Sequence, residues 1–198
     1  AIELSNEDKI LFPKAKITKQ DLADYYKEIG KKMISLIKDR PISMVRYPDG
    51  IEEEGFYQKN AEEYFPECIK NKKIKKQKDG SVDYVVINNV ATLVYLVNLA
   101  CIDPQIWLSR IDKLDYPDRM IFDLDPSIKS FKIVQKGASL IQKKLEKLGL
   151  KSFPMITGSR GIHVVIPLKR KHNFDYVRTF AKDFAKLMQN LNPDIFTI

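Results

Sequence analysis

Phe122-Asp123-Leu124-Asp125-Pro126 places two carboxylates two residues apart. On a strand, alternate side chains share a face, so Asp123 and Asp125 point one way while Phe122 and Leu124 point into the core. Two like charges on one rigid face repel unless a cation sits between them. Hard oxygen ligands suit Mg²⁺ or Mn²⁺. Pro126 stops the strand and leaves the pair at its carboxyl end, where open sheets place ligands. Alone, the pattern equally describes a solvated strand face.

Thr157-Gly158-Ser159-Arg160-Gly161-Ile162-His163 is the second chemistry-bearing segment. A small polar turn with two glycines offers backbone N–H groups to phosphate oxygens. Arg160 adds a charge suited to phosphate. His163, one strand step on, is placed to donate to a phosphate or sugar. A plain hairpin with an incidental histidine has the same spelling. The hairpin follows the acidic strand by one helix, which allows the turn to lie beside the carboxylates.

A third set gathers near the amino terminus: Lys9, Lys19, Arg46, Phe56, Tyr57 and Lys59. Aromatics beside basic residues suit base stacking combined with phosphate binding. Phe56 and Tyr57 are adjacent, so on a strand only one can face the core fully and the other is free to stack. Lys9 and Lys19 flank the start of the first helix, with a turn at Pro13 able to bring them together. N–H groups at the helix start near Thr18 would then add to an anion site. The run Ile69 to Lys78 holds six lysines in ten residues. It reads as a solvated loop or as a non-specific attractor for a phosphate backbone.

The elements that must hold these residues follow from hydrophobic period and punctuation. Thr18 with Asp21 resembles a capping box. The helix after it predicts Leu22, Tyr25, Tyr26, Ile29, Met33 and Leu36 on its buried face. Strands are expected at 42–47, 55–59, 82–87, 119–125, 152–157 and 162–168, with a hairpin at Asp79-Gly80. Helices are expected at 89–100, at 131–148 and after Asn173. The helix at 131–148 buries Phe131, Val134, Ala138, Ile141, Leu145 and Leu148, and Gly149 stops it. The last helix buries Tyr176, Phe180, Phe184 and Leu187. The pattern is mixed α/β (α+β), with no clear linker.

The chain has 198 residues, 44% of them hydrophobic, and carries a formal net charge of +8. That length buries a core without staples, and the charge favours a polyanionic partner such as nucleic acid. Cys68 and Cys101 have neither metal-ligand spacing nor a disulfide pattern, which suits a reducing cytoplasm. Ala1 to Ile10 contains acids and no apolar signal core. The longest apolar stretch, Val90 to Ile102, is too short to span a bilayer.

Several blocks, in order from Ser5 to the end of the chain, resemble one family: SNEDKILFP, ITKQDLADYY, RPISMVRYPDGI, FYQK, WLSR, PDRMIFDLDP and TGSRGIHVVIPL. It is the polymerase domain of the end-joining ATP-dependent DNA ligases, within the archaeo-eukaryotic primase superfamily. The resemblance implies a primase-like core with a mixed central sheet flanked by helices. It implies a template-dependent nucleotidyl transferase that extends DNA ends during double-strand break repair, by a two-metal mechanism. Asp123 and Asp125 would be the metal ligands and catalytic residues. Thr157, Ser159, Arg160, His163 and Gln105 would contact the nucleotide, Mn²⁺ or Mg²⁺ would be the cofactor, and ribonucleoside triphosphates the favoured substrates. Lys9 and Lys19 would grip a 5′-phosphate. Phe56 and Tyr57 would pack against template bases, with Arg46 and Lys59 nearby on DNA.

The partners implied are DNA ends, a Ku-like end-binding protein, and a ligase domain fused or separate. The setting implied is cytoplasmic and nucleoid-associated, with no membrane. Two substitutions depart from the family's pattern. The segment before Trp107 carries Gln105 where histidine is common, and the hairpin begins with Thr157 instead of serine. The family's third metal carboxylate lies downstream in an IDYLRN-like strand, and the sequence stops at Ile198 before such a block. Residues 1–198 are therefore expected to form a primase-like domain cut before that motif and weak in turnover. Asp83 and Asp118 are the first places to look for a substitute. A non-catalytic module that binds 5′-phosphorylated DNA ends is the alternative. A glycosyltransferase that uses a DxD motif is a third reading, which leaves the basic and aromatic amino-terminal set unexplained.

Overall fold

The computed structural model describes residues 2–75, 79–128 and 130–198. Two compact units divide the chain, Ala1–Asp112 and Lys113–Ile198.

In the first unit, β1 (Ile10–Phe12) and β2 (Ile17–Thr18) form a small antiparallel pair that leads into α1 (Lys19–Ile37). Thr18 caps α1 as the sequence predicts. Its hydroxyl accepts from the Asp21 N–H at 3.2 Å, and the Asp21 carboxylate accepts from the Thr18 N–H at 2.8 Å. The main sheet is built on β3 (Arg40–Arg46). Antiparallel to it run β4 (Phe56–Gln58), β6 (Ser81–Ile87) and β7 (Cys101–Ile106), while β5 (Asn71–Lys75) pairs with β6 at the edge. Helix α2 (Val90–Asn98) starts at Asn89, whose side chain accepts from Thr92 N, and supplies the most continuous apolar surface of the core.

Several expectations need correction here. The lysine run is not simply a loop, since residues 71–75 are the edge strand β5; residues 76–78 lie outside the described residues. Charged side chains suit an edge strand because they oppose further pairing. Strand β7 was not expected, because Asp103, Pro104 and Gln105 carry little strand propensity. It forms because β3 offers an edge for pairing from Ile42 to Arg46. On α1, Tyr25 and Leu36 are exposed, while Ala23, Tyr26 and Ile37 are buried. At 100° per residue, Tyr25 and Leu36 lie just off the buried stripe.

In the second unit, β8 (Arg119–Leu124), α3 (Phe131–Lys147), β9 (Phe153–Ile156) and β10 (Ile162–Pro167) form a three-stranded sheet in the order β8-β10-β9. Because β10 is antiparallel to both neighbours, β8 and β9 run parallel with β10 inserted between them. This split β-α-β arrangement brings the carboxyl ends of β8 and β9 to the same end of the sheet. Met120, Phe122 and Leu124 share a face with Ile166, Val164 and Ile162, their register partners. That face is covered by Ile141 and Leu145 of α3 and by Phe184 and Met188 of α4 (Phe174–Leu191). Each such buried side chain contributes roughly 1.5–3 kcal/mol. Gly149, at φ 74, follows the end of α3 as expected. Phe131 and Leu148 of the predicted α3 stripe are exposed, and so are Tyr176 and Leu187 of α4. Val177 and Ala181 pack on the α4 side instead. No helix among the described residues is long and apolar enough to cross a membrane.

Candidate functional site

Asp123 and Asp125 sit at the carboxyl end of β8, both exposed, with Phe122 and Leu124 packed against the core. The alternation read from the sequence is therefore present. Asp123 lies opposite His163 of β10, and the His163 Nε2 is 3.2 Å from Asp123 Oδ1. The other ring nitrogen, Nδ1, is buried with no hydrogen-bond partner in the described structure. It is an orphaned polar atom, and such atoms are uncommon enough to call for an explanation.

The turn between β9 and β10 rests directly on the second carboxylate. A Cβ added to Gly161 would stand 2.8 Å from Asp125 Oδ1 and 2.9 Å from the Leu124 carbonyl oxygen. Only glycine fits that approach. Thr157 staples the turn: its hydroxyl accepts from Gly161 N at 3.2 Å and lies 3.2 Å from Gly161 O. Ser159 N also points at the Thr157 oxygen, at 3.5 Å. Ser159 and Arg160 project into solvent. The topology thus brings Asp123, Asp125, Thr157, Ser159, Arg160 and His163 to one end of one sheet.

A cavity of about 160 Å³ opens beside Asp123 and Asp125, walled by Val134 and Gly137 of α3 and by the segment Pro193–Thr197. Asp194 is on that wall. Sequence reading gave no signal for it, since it follows α4 in an unpatterned tail. The segment is held by Phe196, whose ring lies 3.3 Å from where a Gly137 Cβ would be. Asp118, by contrast, lies next to the opposite end of β8 and pairs with Arg119 at 3.5 Å. Asp83 is on β6 of the first unit, where its backbone ties Asn60 and Ala61 to the sheet. Asp118 does not join Asp123 and Asp125, which lie at the other end of the strand. Among the described residues there is no group of three or more His, Cys, Asp or Glu side chains able to hold a metal ion.

The amino-terminal set lies in the first unit. Lys9 is partly exposed and pairs with Asp49 at 3.2 Å. Lys19 is only 4% exposed, and its ammonium donates to the carbonyls of Ser5 at 2.7 Å and Asn98 at 3.1 Å. Burial, and then the nearby Lys9 and Arg46 charges, lower its pKa from the ordinary lysine value. The expected anion site at the start of α1 needs correction. Lys19 N donates to Lys9 O, Gln20 N to Glu7 O, and Asp21 N to Thr18 Oγ1. Those donors are already used.

Arg46 donates to Leu99 O and to Gln58 Oε1, both at 2.7 Å, and its guanidinium lies 5.3 Å from the centre of the Phe56 ring. Phe56 is 46% and Tyr57 70% exposed, so both rings of the pair are accessible, not one. Lys59 follows β4 and is exposed. Gln105 is on β7, where its amide donates to Asp103 on the same strand face at 2.5 Å.

Against known proteins, the family described as "LigD, primase-polymerase domain" matches residues 18–198. The bifunctional non-homologous end joining protein LigD of Bacillus subtilis is 30% identical over 99% of the chain, which spans 31% of that relative. The multifunctional LigD of Pseudomonas aeruginosa is 29% identical over 99% of the chain, which spans 23% of it. The chain thus covers about a third or less of these relatives' length. Among solved structures, the polymerase domain of Mycobacterium tuberculosis ligase D in complex with DNA matches with a TM-score of 0.90 and 25% identity, over 98% of this chain and 70% of that one. With the mixed α/β fold shared and the family matched over nearly its whole length, this chain belongs to the LigD primase-polymerase domain family.

Proposed function

We propose that the chain forms the nucleotide-handling and DNA-end-handling part of an end-joining polymerase, a template-dependent nucleotidyl transferase acting on 5′-phosphorylated DNA ends. The observation that carries this reading is the seating of the Thr157–Gly161 turn on Asp125, with His163 bonded to Asp123. Phosphate-type donors and metal-type acceptors converge there from three strands.

Asp123 and Asp125 would hold Mg²⁺ or Mn²⁺. The donor set fits: two exposed hard carboxylates beside a cavity of about 160 Å³ suit an ion that keeps several waters and takes phosphate oxygens as further ligands. Such an ion, when bound, neutralises charge on the transferring phosphoryl group and on pyrophosphate. The remaining work falls to the chain. Thr157 holds the turn in shape. The Ser159 hydroxyl and Arg160 guanidinium face the solvent from which a triphosphate would approach. The Nε2 proton of His163 holds Asp123 in position, which orients its free oxygen.

On the first unit, Phe56 and Tyr57 would stack on template bases, Lys59 and Arg46 would support the backbone, and Lys9 is the accessible lysine for a 5′-phosphate. Lys19 would act behind it, holding the Ser5 and Asn98 segments in place. Ribonucleotides, a Ku-like protein and a ligase domain belong to this reading as substrate and partners. A non-catalytic end-binding module is the second reading. The absence of a three-ligand metal group among the described residues favours it.

Titration of Mn²⁺ with a ribonucleoside triphosphate tests the site. Asp123→Ala and Asp125→Ala should each weaken nucleotide binding at least tenfold and abolish primer extension in the full-length protein. DNA affinity should stay within about twofold, since removing an acid costs no phosphate contact. Near-parental nucleotide binding and extension by either variant would remove the assignment.

A further inference from the structure

At the end of the three-stranded sheet away from Asp123 and Asp125, we propose a second binding surface, for single-stranded nucleic acid, formed by the loop Lys169–His172 and Tyr176. It rests on the reading above only in that the chain handles DNA ends. The strand register separates the two places: Arg119 pairs with Pro167 at one end, and Leu124 with Ile162 at the other. Five residue steps of about 3.3 Å make that separation roughly 17 Å. One nucleotide does not span it.

The loop is fixed in shape. Arg170 adopts a left-handed φ of 55, and its carbonyl accepts from Lys113 Nζ at 2.9 Å. Phe174 N donates to Asp115 O at 3.1 Å. Lys169, Lys171 and His172 are left exposed, with Arg178 exposed farther along α4. Of the acids near them, Asp118 is paired with Arg119, and Asp115 and Asp175 are exposed. The cations therefore outnumber the unpaired acids.

Below this rim are two adjoining apolar hollows. One of about 180 Å³ is floored by Pro117, Leu168 and Val177, and one of about 150 Å³ by Met120, Leu150 and Phe180. Both are bordered by His172, whose ring stacks on Tyr176 with centroids 4.1 Å apart and planes 15° apart. Tyr176 is 59% exposed, one position off the buried stripe of α4. At the start of α4, Tyr176 N is taken by the Asn173 side chain, and Phe174 N by Asp115. The exposed lysines are the charged groups left to meet a phosphate.

An apolar hollow with a stacked ring pair and a lysine rim suits an unpaired base carrying its phosphate. A duplex keeps its bases paired and offers only the backbone. An acidic peptide would satisfy the lysines but has no use for the stacked rings.

The test uses the intact chain and an oligothymidine bearing 5-iodouracil. Photocrosslinking should label Tyr176 or His172. Anisotropy should show about tenfold weaker binding for Tyr176→Ala, in the range seen when one stacking ring is removed, and parental binding for Tyr176→Phe. Lys169→Ala with Lys171→Ala should reduce the slope of log affinity against log salt by about 1.4, at about 0.7 per phosphate contact. Asp123→Ala with Asp125→Ala should leave all of this unchanged, so failure of the carboxylate reading is separable from failure here. Crosslinks confined to Phe56 and Tyr57, or parental affinity in both loop variants, overturn the proposal. Displacement of the oligonucleotide by polyglutamate at equal charge overturns it in favour of an acidic protein partner.

Discussion

Lys19 gives the sharpest separation between a ligand contact and a structural one. A lysine that simply reached for phosphate would be exposed, and its loss would leave the fold untouched. Here the ammonium is buried and donates to two backbone carbonyls. Lys19→Ala removes three methylenes, worth about 0.8 kcal/mol each when buried. It also orphans the carbonyls of Ser5 and Asn98 at roughly 1 kcal/mol or more each. Relief of a buried charge beside Lys9 and Arg46 offsets part of this. The net expectation is a loss of about 3 kcal/mol, or some 6–12 °C in Tm for a chain of this size. Lys9→Ala breaks only a surface pair with Asp49, which costs under about 1 kcal/mol.

The assay is thermal denaturation of both variants, together with anisotropy on gapped DNA carrying a 5′-phosphate or a 5′-hydroxyl. Lys9→Ala should lose discrimination between the two ends without loss of stability, and Lys19→Ala should lose both. The pH dependence has a definite sign. Because the folded-state pKa of Lys19 is lowered, the unfolded chain holds its proton to higher pH. The parent's Lys19 contribution therefore becomes more favourable as pH rises from the folded pKa towards the ordinary value of 10.5. Lys19→Met should abolish that rise. A Lys19→Ala variant melting within a degree of the parent would refute the reasoning and return this lysine to the phosphate.

Gly161→Ala drives a methyl group into Asp125 and the Leu124 carbonyl. It should cost about 1–3 kcal/mol in urea denaturation and weaken Mn²⁺-dependent nucleotide binding more than tenfold, as read by calorimetry. Thr18→Ala removes the capping hydroxyl from α1 and should cost about 1 kcal/mol in the same urea titration. Burial pushes the Cys101 thiol up to about 12, so at pH 8 its thiolate fraction is on the order of one in ten thousand. Cys68 is exposed. A disulfide reagent should therefore find one fast thiol in the native chain and two in denaturant, and two fast native thiols would contradict the burial.

Features that depend on neighbours within a few residues were legible in the sequence. The Thr18–Asp21 box, the split of Phe122 and Leu124 from Asp123 and Asp125, the stop at Gly149 and the Thr157–Gly161 turn all follow from local geometry. Helical faces were read almost correctly. The errors fell at the margins of each stripe: Tyr25, Leu36 and Tyr176 are apolar in type but one position off the contact, and Phe131 is the exposed first residue of α3. What only the tertiary structure decided was pairing across distance. β10 inserts between β8 and β9, and this seats the turn on Asp125. The open edge of β3 makes a strand of Asp103, Pro104 and Gln105 despite their weak propensity. Asp194 reaches the carboxylate cavity because Phe196 docks on Gly137. Lys19 is buried because the Ser5 and Asn98 segments close over it. Residue type marks a lysine as a cation, but its use depends on whether water or two carbonyls surround the ammonium, and segments 79 residues apart in sequence settle that.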